Sequence, residues 1–143
     1  MPHPFPHRYE TQLKQGEGRT AVLTSGTKSA LTGGPPPQFD GKEEWWSPEE
    51  LFLESINLCL FTPFQTIGTK KGLELHNYAS RTEGVLDKTK DGLTFTKLAV
   101  HMEIKVAEKQ VGLATEIVDM AKRYCVISNA LKIPVEVHSE IKG

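Results

Sequence analysis

The segment from Leu51 to Ile67 sets the first limit on the fold. Leu51, Phe52, Leu53, Ile56, Leu58, Cys59, Leu60, Phe61, Phe64 and Ile67 leave almost no polar face on a helix. A helix at the surface of a small domain shows one apolar stripe. One that is apolar nearly all round has to sit at the centre of a core or an interface. Its start is written in Ser47-Pro48-Glu49-Glu50. Ser47 suits the N-cap, Pro48 the first helical position, and Glu50 the reciprocal place of a capping box. The spacing predicts a helix over Ser47–Ile67, ending near Gly68. Glu54, Asn57 and Pro63 make the stretch too polar, and it is too short, to span a bilayer. Pro63 cannot donate to the carbonyl of Cys59, so the helix is expected either to end there or to kink just beyond the cysteine. Both outcomes open the backbone beside a thiol.

The rest of the chain reads as strands and one further helix. Tyr9 to Leu13 and Thr20 to Thr24 are expected as two strands around Gly16-Glu17-Gly18. A loop then runs through Gly33-Gly34-Pro35-Pro36-Pro37 to Trp46, long enough to suggest a function or a partner. Leu73 to Leu86 reads as extended with poor alternation, and Asp91-Gly92 as a turn. From Phe95 to Val106, Leu98, Val100, Met102, Ile104 and Val106 alternate with Ala99, His101, Glu103 and Lys105, the pattern of a half-buried strand. Val111 to Tyr124 predicts an amphipathic helix with Ala114, Ile117, Val118, Ala121 and Cys125 on one stripe. Val135, Val137 and Ile141 suggest a closing strand. Regular βαβ alternation is not seen, so the fold class is α+β. A length of 143 residues fits one domain spanning 1–143.

Charge and cysteine usage narrow the function. Lys and Arg total 17 against 18 Asp and Glu, with no long basic run, so nucleic acid is not the expected partner. His3, His7, His76, His101 and His138 show no metal-ligand spacing, and no metal is expected. The first ten residues lack an apolar signal region, so the reducing cytoplasm is the expected compartment. There, two cysteines are catalytic or incidental rather than a permanent staple. If the two helices pack through their apolar stripes, Cys59 and Cys125 can meet. Glu49 lies ten residues before Cys59, roughly toward the same side of the helix, and on spacing alone it either complements the helix dipole or serves the thiol.

These residues together resemble the OsmC/Ohr family. Its pattern is an Asn/Ser-Pro-Glu-x-Leu helix start, a cysteine ten residues after the glutamate, and a second cysteine in a Cys-Pro-Val-Ser-x-x-Leu context. Here these are Ser47-Pro48-Glu49-Glu50-Leu51, Cys59, and Cys125-Val126-Ile127-Ser128-Asn129-Ala130-Leu131. Gly84-Val85-Leu86 and Gly92 to Leu98 fit the family's central hairpin. The resemblance implies antiparallel sheets around a buried central helix, in an intertwined homodimer. It implies a thiol peroxidase of the oxidative stress response that needs no cofactor and reduces organic hydroperoxides with an external thiol. Cys59 would be the nucleophile, Cys125 the resolving thiol that forms a Cys59–Cys125 disulfide, and Glu49 the carboxylate of the activating network. The alternatives are a non-catalytic dimer that binds an apolar ligand beside Cys59, and a structural protein with ordinary core cysteines.

Two departures from the pattern stand out. The family's activating arginine belongs in the first hairpin, where this chain places Gln15 or Gly16, with Arg19 nearby. The proline after the second cysteine is replaced by Val126. Phe52, Ile56, Phe61 and Phe64 are the expected wall of the approach to Cys59, because they share or flank its side of the helix.

Overall fold

The computed structural model describes residues 3–143. They form two compact units, one running to Leu51 and the other starting at Phe52. In the first unit, β1 (Gln12–Gln15), β2 (Ala21–Thr24) and β3 (Leu31–Gly33) form an antiparallel sheet in that order. The first hairpin turns where expected, with the Thr20 N–H donating to the Glu17 carbonyl at 3.0 Å and Gly18 at φ +58°. Pairing then runs outward from Gln15↔Ala21 to Gln12↔Thr24. The turn sets the register, so the first strand lies closer to the turn than the expected Tyr9–Leu13, and Tyr9 is left exposed.

The proline-rich segment is a compact connection that begins with a strand the sequence reading missed, β3. The Pro36 carbonyl accepts from both Phe39 and Gly41 at 2.9 Å. A Cβ at Gly41 would stand 1.6 Å from the Pro35 carbonyl oxygen, so only glycine fits that close approach. The chain then returns to β3. The Trp46 N–H donates to Thr32 at 3.1 Å, and the Gly34 N–H donates to Trp46 at 2.9 Å. This pins the residue before the helix cap. The capping box forms as expected: the Glu50 N–H donates to Ser47 Oγ at 3.1 Å, and the Ser47 N–H donates to Glu50 Oε1 at 3.2 Å.

Helix α1 (Pro48–Lys70) starts in the first unit and continues in the second. It does not end at Pro63, and it runs to Lys70, close to the expected stop near Gly68. Its stop signal is Gly72, at φ +73°, after which the Leu73 N–H donates back to the Gly68 carbonyl at 2.8 Å. In the second unit, β4 (Leu75–Thr89) and β5 (Gly92–Val106) form a long antiparallel hairpin. Helices α2 (Val111–Arg123) and α3 (Val126–Asn129) follow, and β6 (Val135–Lys142) then pairs with β5 in parallel. The sheet order is β4-β5-β6. The sheet is therefore mixed at this edge, because a helical connection returns the chain to the end of β5 at which that strand began.

The core of this unit matches the sequence pattern closely. Leu98, Val100, Met102, Ile104 and Val106 of β5 are all buried. Ile56, Leu60 and Phe64 of α1 and the α2 stripe Ala114, Ile117, Val118 and Ala121, with Cys125, belong to the same cluster. Each large side chain buried in this way stabilises the fold by about 1.5–3 kcal/mol. The weak alternation of β4 has a specific cause. Leu75, Tyr78, Ser80, Thr82 and Gly84 are its half-buried residues, and Ser80, Thr82 and Gly84 bring no apolar side chain. Ser80 and Thr82 donate their hydroxyls to Asn57 Oδ1 on α1, at 2.9 and 2.6 Å. A Cβ at Gly84 would meet the Phe95 ring at 2.8 Å. That ring stacks on Phe52 with centroids 5.1 Å apart.

Candidate active site

Both cysteines lie in the second unit. Cys59 is half-buried on α1, and Cys125 is fully buried at the residue that precedes α3. Both are free thiols, and the pair approaches to 3.5 Å. The α1 and α2 stripes bring them together as the packing of two apolar faces suggested. Ser128, one turn into α3, donates its hydroxyl to Cys125 Sγ at 3.0 Å.

Cys59 faces a cleft of about 700 Å³ lined by Thr62, Pro63, Thr66, Ile67, Lys70, Lys71, Met120, Tyr124 and Val126. None of the four residues expected as its apolar wall lines it. Ile56 and Phe64 are wholly buried in the core, Phe52 stacks on Phe95, and Phe61 packs edge-on against Tyr78. Phe52, Asn57, Phe61 and Phe64 of α1 meet β4 and β5 instead. The cleft follows the residues after Cys59, and α2 and α3 close its other side.

The acidity of Cys59 is set by opposed effects. Burial pushes its thiol above the ordinary value. The backbone N–H of Ile127 donates to its sulfur and lowers it, the neighbouring Cys125 raises it, and the N–H of Val126 lowers it. Burial prevails, and no side-chain cation among the described residues offsets it. The sequence reading expected a cation here and found no signal for the amides. A backbone donor is visible in a sequence only as a residue that is not proline.

Glu49 and Arg19 belong to the first unit. Both line a separate, mainly apolar cleft of about 520 Å³, with Leu13, Leu23, Pro36, Phe39 and Trp46 among its other walls. Glu49 Oε1 is buried and has no hydrogen-bond partner among the described residues. The Arg19 guanidinium donates to the Asp40 carbonyl at 2.8 Å. Thus Arg19, not Gln15 or Gly16, shares a cleft with Glu49.

Known proteins resemble this chain in sequence and in fold. A family model described as OsmC-like protein matches residues 41–140. The chain is 25% identical to the peroxiredoxin OsmC of Escherichia coli K12 over 135 residues, covering 94% of this chain and 93% of that protein. It is 27% identical over 109 residues to the uncharacterized protein YmaD of Bacillus subtilis, covering 73% of each. Among solved structures, an OsmC-like protein of unknown function from Vibrio cholerae superposes with a TM-score of 0.82 at 17% identity, over 95% of this chain and 99% of the other. An organic hydroperoxide resistance protein OsmC from Legionella pneumophila gives 0.68 at 22% identity, over 96% and 100%. With a family match over more than half its length, this chain belongs to the OsmC-like proteins.

Proposed function

We propose that the protein is a thiol-dependent peroxidase that reduces organic hydroperoxides to alcohols. The observation that carries this reading is the pairing of a thiol open to a cleft with a buried second thiol 3.5 Å away. The names of the E. coli and L. pneumophila relatives support it. In the first step the Cys59 thiolate attacks one peroxide oxygen. An S–O bond forms, the O–O bond breaks, and the alkoxide takes a proton and leaves as alcohol. Cys59 has given up two electrons and is a sulfenic acid. Cys125 then attacks the Cys59 sulfur. The S–S bond forms, and the hydroxyl of the sulfenic acid leaves with the thiol proton as water. An external dithiol supplies two electrons and two protons to restore both thiols. Glu49 belongs to the activating network in this reading.

Thiol titration tests the proposal. One equivalent of cumene hydroperoxide is expected to remove two titratable thiols per chain, and dithiothreitol to return both. If no thiol is lost, the reading gives way to that of a non-catalytic protein binding an apolar ligand beside Cys59.

The proposal includes a homodimer in which residues 1–143 act as one domain. Leu58 of α1 is 59% exposed and Leu13 of β1 68%. Exposed leucines on two different elements are expected to be covered by a second copy, with a total interface above ~2,000 Å². Light scattering at micromolar concentration is expected to give twice the chain mass. A monomer there would remove the dimer from the proposal.

A further inference from the structure

Of the two thiols, only Cys59 faces the cleft. Cys125 is 0% exposed and belongs to the apolar cluster with Ala114, Ile117 and Ala121. An external thiol therefore reaches a Cys59–Cys125 disulfide at the Cys59 sulfur, and Cys125 is the sulfur that departs. When the disulfide forms, Cys125 is the sulfur that attacks. Negative charge thus gathers on one buried atom in both directions. An apolar core disfavours such charge unless a donor meets it.

The Ser128 hydroxyl is that donor. It lies 3.0 Å from Cys125 Sγ, and no other side-chain N–H or O–H donates to this sulfur among the described residues. A hydroxyl on a helix has a local alternative, the carbonyl three or four residues back. Ser55 donates to Phe52 in this way at 2.6 Å, and Thr69 to Gln65 and Thr115 to Val111 at 2.9 Å. Cys125 stands three residues before Ser128, and its carbonyl already accepts from the Asn129 N–H at 3.0 Å. Ser128 donates to the sulfur instead.

We infer that Ser128 is a catalytic residue of the disulfide steps, its hydroxyl stabilising charge on the Cys125 sulfur as the Cys59–Cys125 bond forms and as it breaks. The inference rests on the thiol-pair chemistry proposed above, but not on peroxide as the oxidant. In reduction, an external thiolate forms an S–S bond to Cys59. The Cys59–Cys125 bond breaks, and its electron pair leaves on Cys125, which then takes a proton. A second external thiol attacks the mixed disulfide and frees Cys59. The Ser128 contact strengthens during the first of these steps, because charge-assisted hydrogen bonds are roughly twice as strong as neutral ones.

Ser128→Ala is the probe, and Ser128→Thr is the control that keeps a hydroxyl. Diamide takes two electrons and two protons from a pair of thiols and makes the disulfide without peroxide. Its reduction by dithiothreitol is then followed by mass spectrometry of alkylated samples. A sulfur in thiol exchange carries about half a charge in the transition state, so a donor worth about tenfold on a full charge is worth about threefold on the rate. The Ser128→Ala disulfide is expected to be reduced about threefold more slowly than the parent's. Its equilibrium against the dithiothreitol couple is expected to move less than about twofold, since neither the disulfide nor the thiol carries the charge. Ser128→Thr is expected to react at the parent rate. With cumene hydroperoxide, the sulfenic acid of Ser128→Ala is expected to last about threefold longer before disulfide formation, read by dimedone trapping.

A packing role has the opposite sign. A loosened site admits the reductant, speeds reduction and shifts the equilibrium with it. Reduction of Ser128→Ala at the parent rate or faster overturns the inference, as does equal slowing in Ser128→Ala and Ser128→Thr. A parent chain in which diamide makes no Cys59–Cys125 disulfide overturns it together with the proposed function. Disulfide exchange that slows as expected, in a chain that loses no thiol to peroxide, would sink the peroxidase reading and leave Ser128 in its role.

Discussion

Cys59→Ser is expected to reduce peroxide consumption by at least ~10³-fold, because an enzyme without its nucleophile retains little of its rate. A serine hydroxyl has no ionised form available near neutral pH and no route to a sulfenic acid. Cys125→Ser is expected to behave differently. It should consume one equivalent of peroxide in a first turnover, because Cys59 still faces the cleft. No disulfide can then form. The sulfenic acid should persist and be trapped by dimedone, and excess peroxide should drive it to the sulfinic acid, which external thiols do not reduce. Intact-protein mass spectrometry separates the outcomes by one, two or three added oxygens. Turnover of Cys59→Ser at the parent rate would reverse the assignment of the nucleophile. Sustained turnover of Cys125→Ser would show that an external thiol resolves the sulfenic acid directly.

What the sequence made legible followed from periodicity and from caps. The β5 alternation and the α2 stripe became the core residue for residue, since both patterns arise from burial on one face. The Ser47–Glu50 box was legible because its chemistry is local. The features that were missed depend on partners distant in sequence. Ser80 and Thr82 are inward-facing and polar because Asn57, more than twenty residues earlier, accepts from both. Gly84 yields its place to the ring of Phe95. No pattern within β4 announces either relation. The thiol site divides in the same way. The two cysteines were visible as side chains, Cys59 within the apolar helix α1 and Cys125 at the end of the α2 stripe. The donors to Cys59 are main-chain amides, which every residue but proline possesses, and the hydroxyl on Cys125 belongs to a serine with many possible uses. The misplaced apolar wall arose from treating neighbours on one helix as neighbours in the cleft, when the sheet had already taken that side of α1.

The corrected cleft predicts a preference for organic hydroperoxides over hydrogen peroxide. Its apolar surface beside Cys59 comes from Pro63, Ile67, Met120 and Val126, with Tyr124 at its edge. A substrate that carries a hydrocarbon group can lay it against these side chains. An alkyl or aryl group that buries on the order of 100 Å² gains about 2.5 kcal/mol at most, at about 25 cal/mol per Å². If the contact persists while the O–O bond breaks, it lowers the barrier and favours that substrate by more than tenfold in kcat/KM. Hydrogen peroxide has no such group and loses hydrogen bonds to water on entry. The comparison is kcat/KM for cumene hydroperoxide against hydrogen peroxide with one common dithiol. Met120→Gln puts an amide on the wall at nearly the same length. It is expected to cut the value for cumene hydroperoxide severalfold and to leave that for hydrogen peroxide close to the parent's. Equal values for the two peroxides in the parent chain would remove the cleft wall from the account of specificity. A Met120→Gln variant that loses both activities together would assign Met120 to the packing of α2 against Cys59 rather than to the substrate.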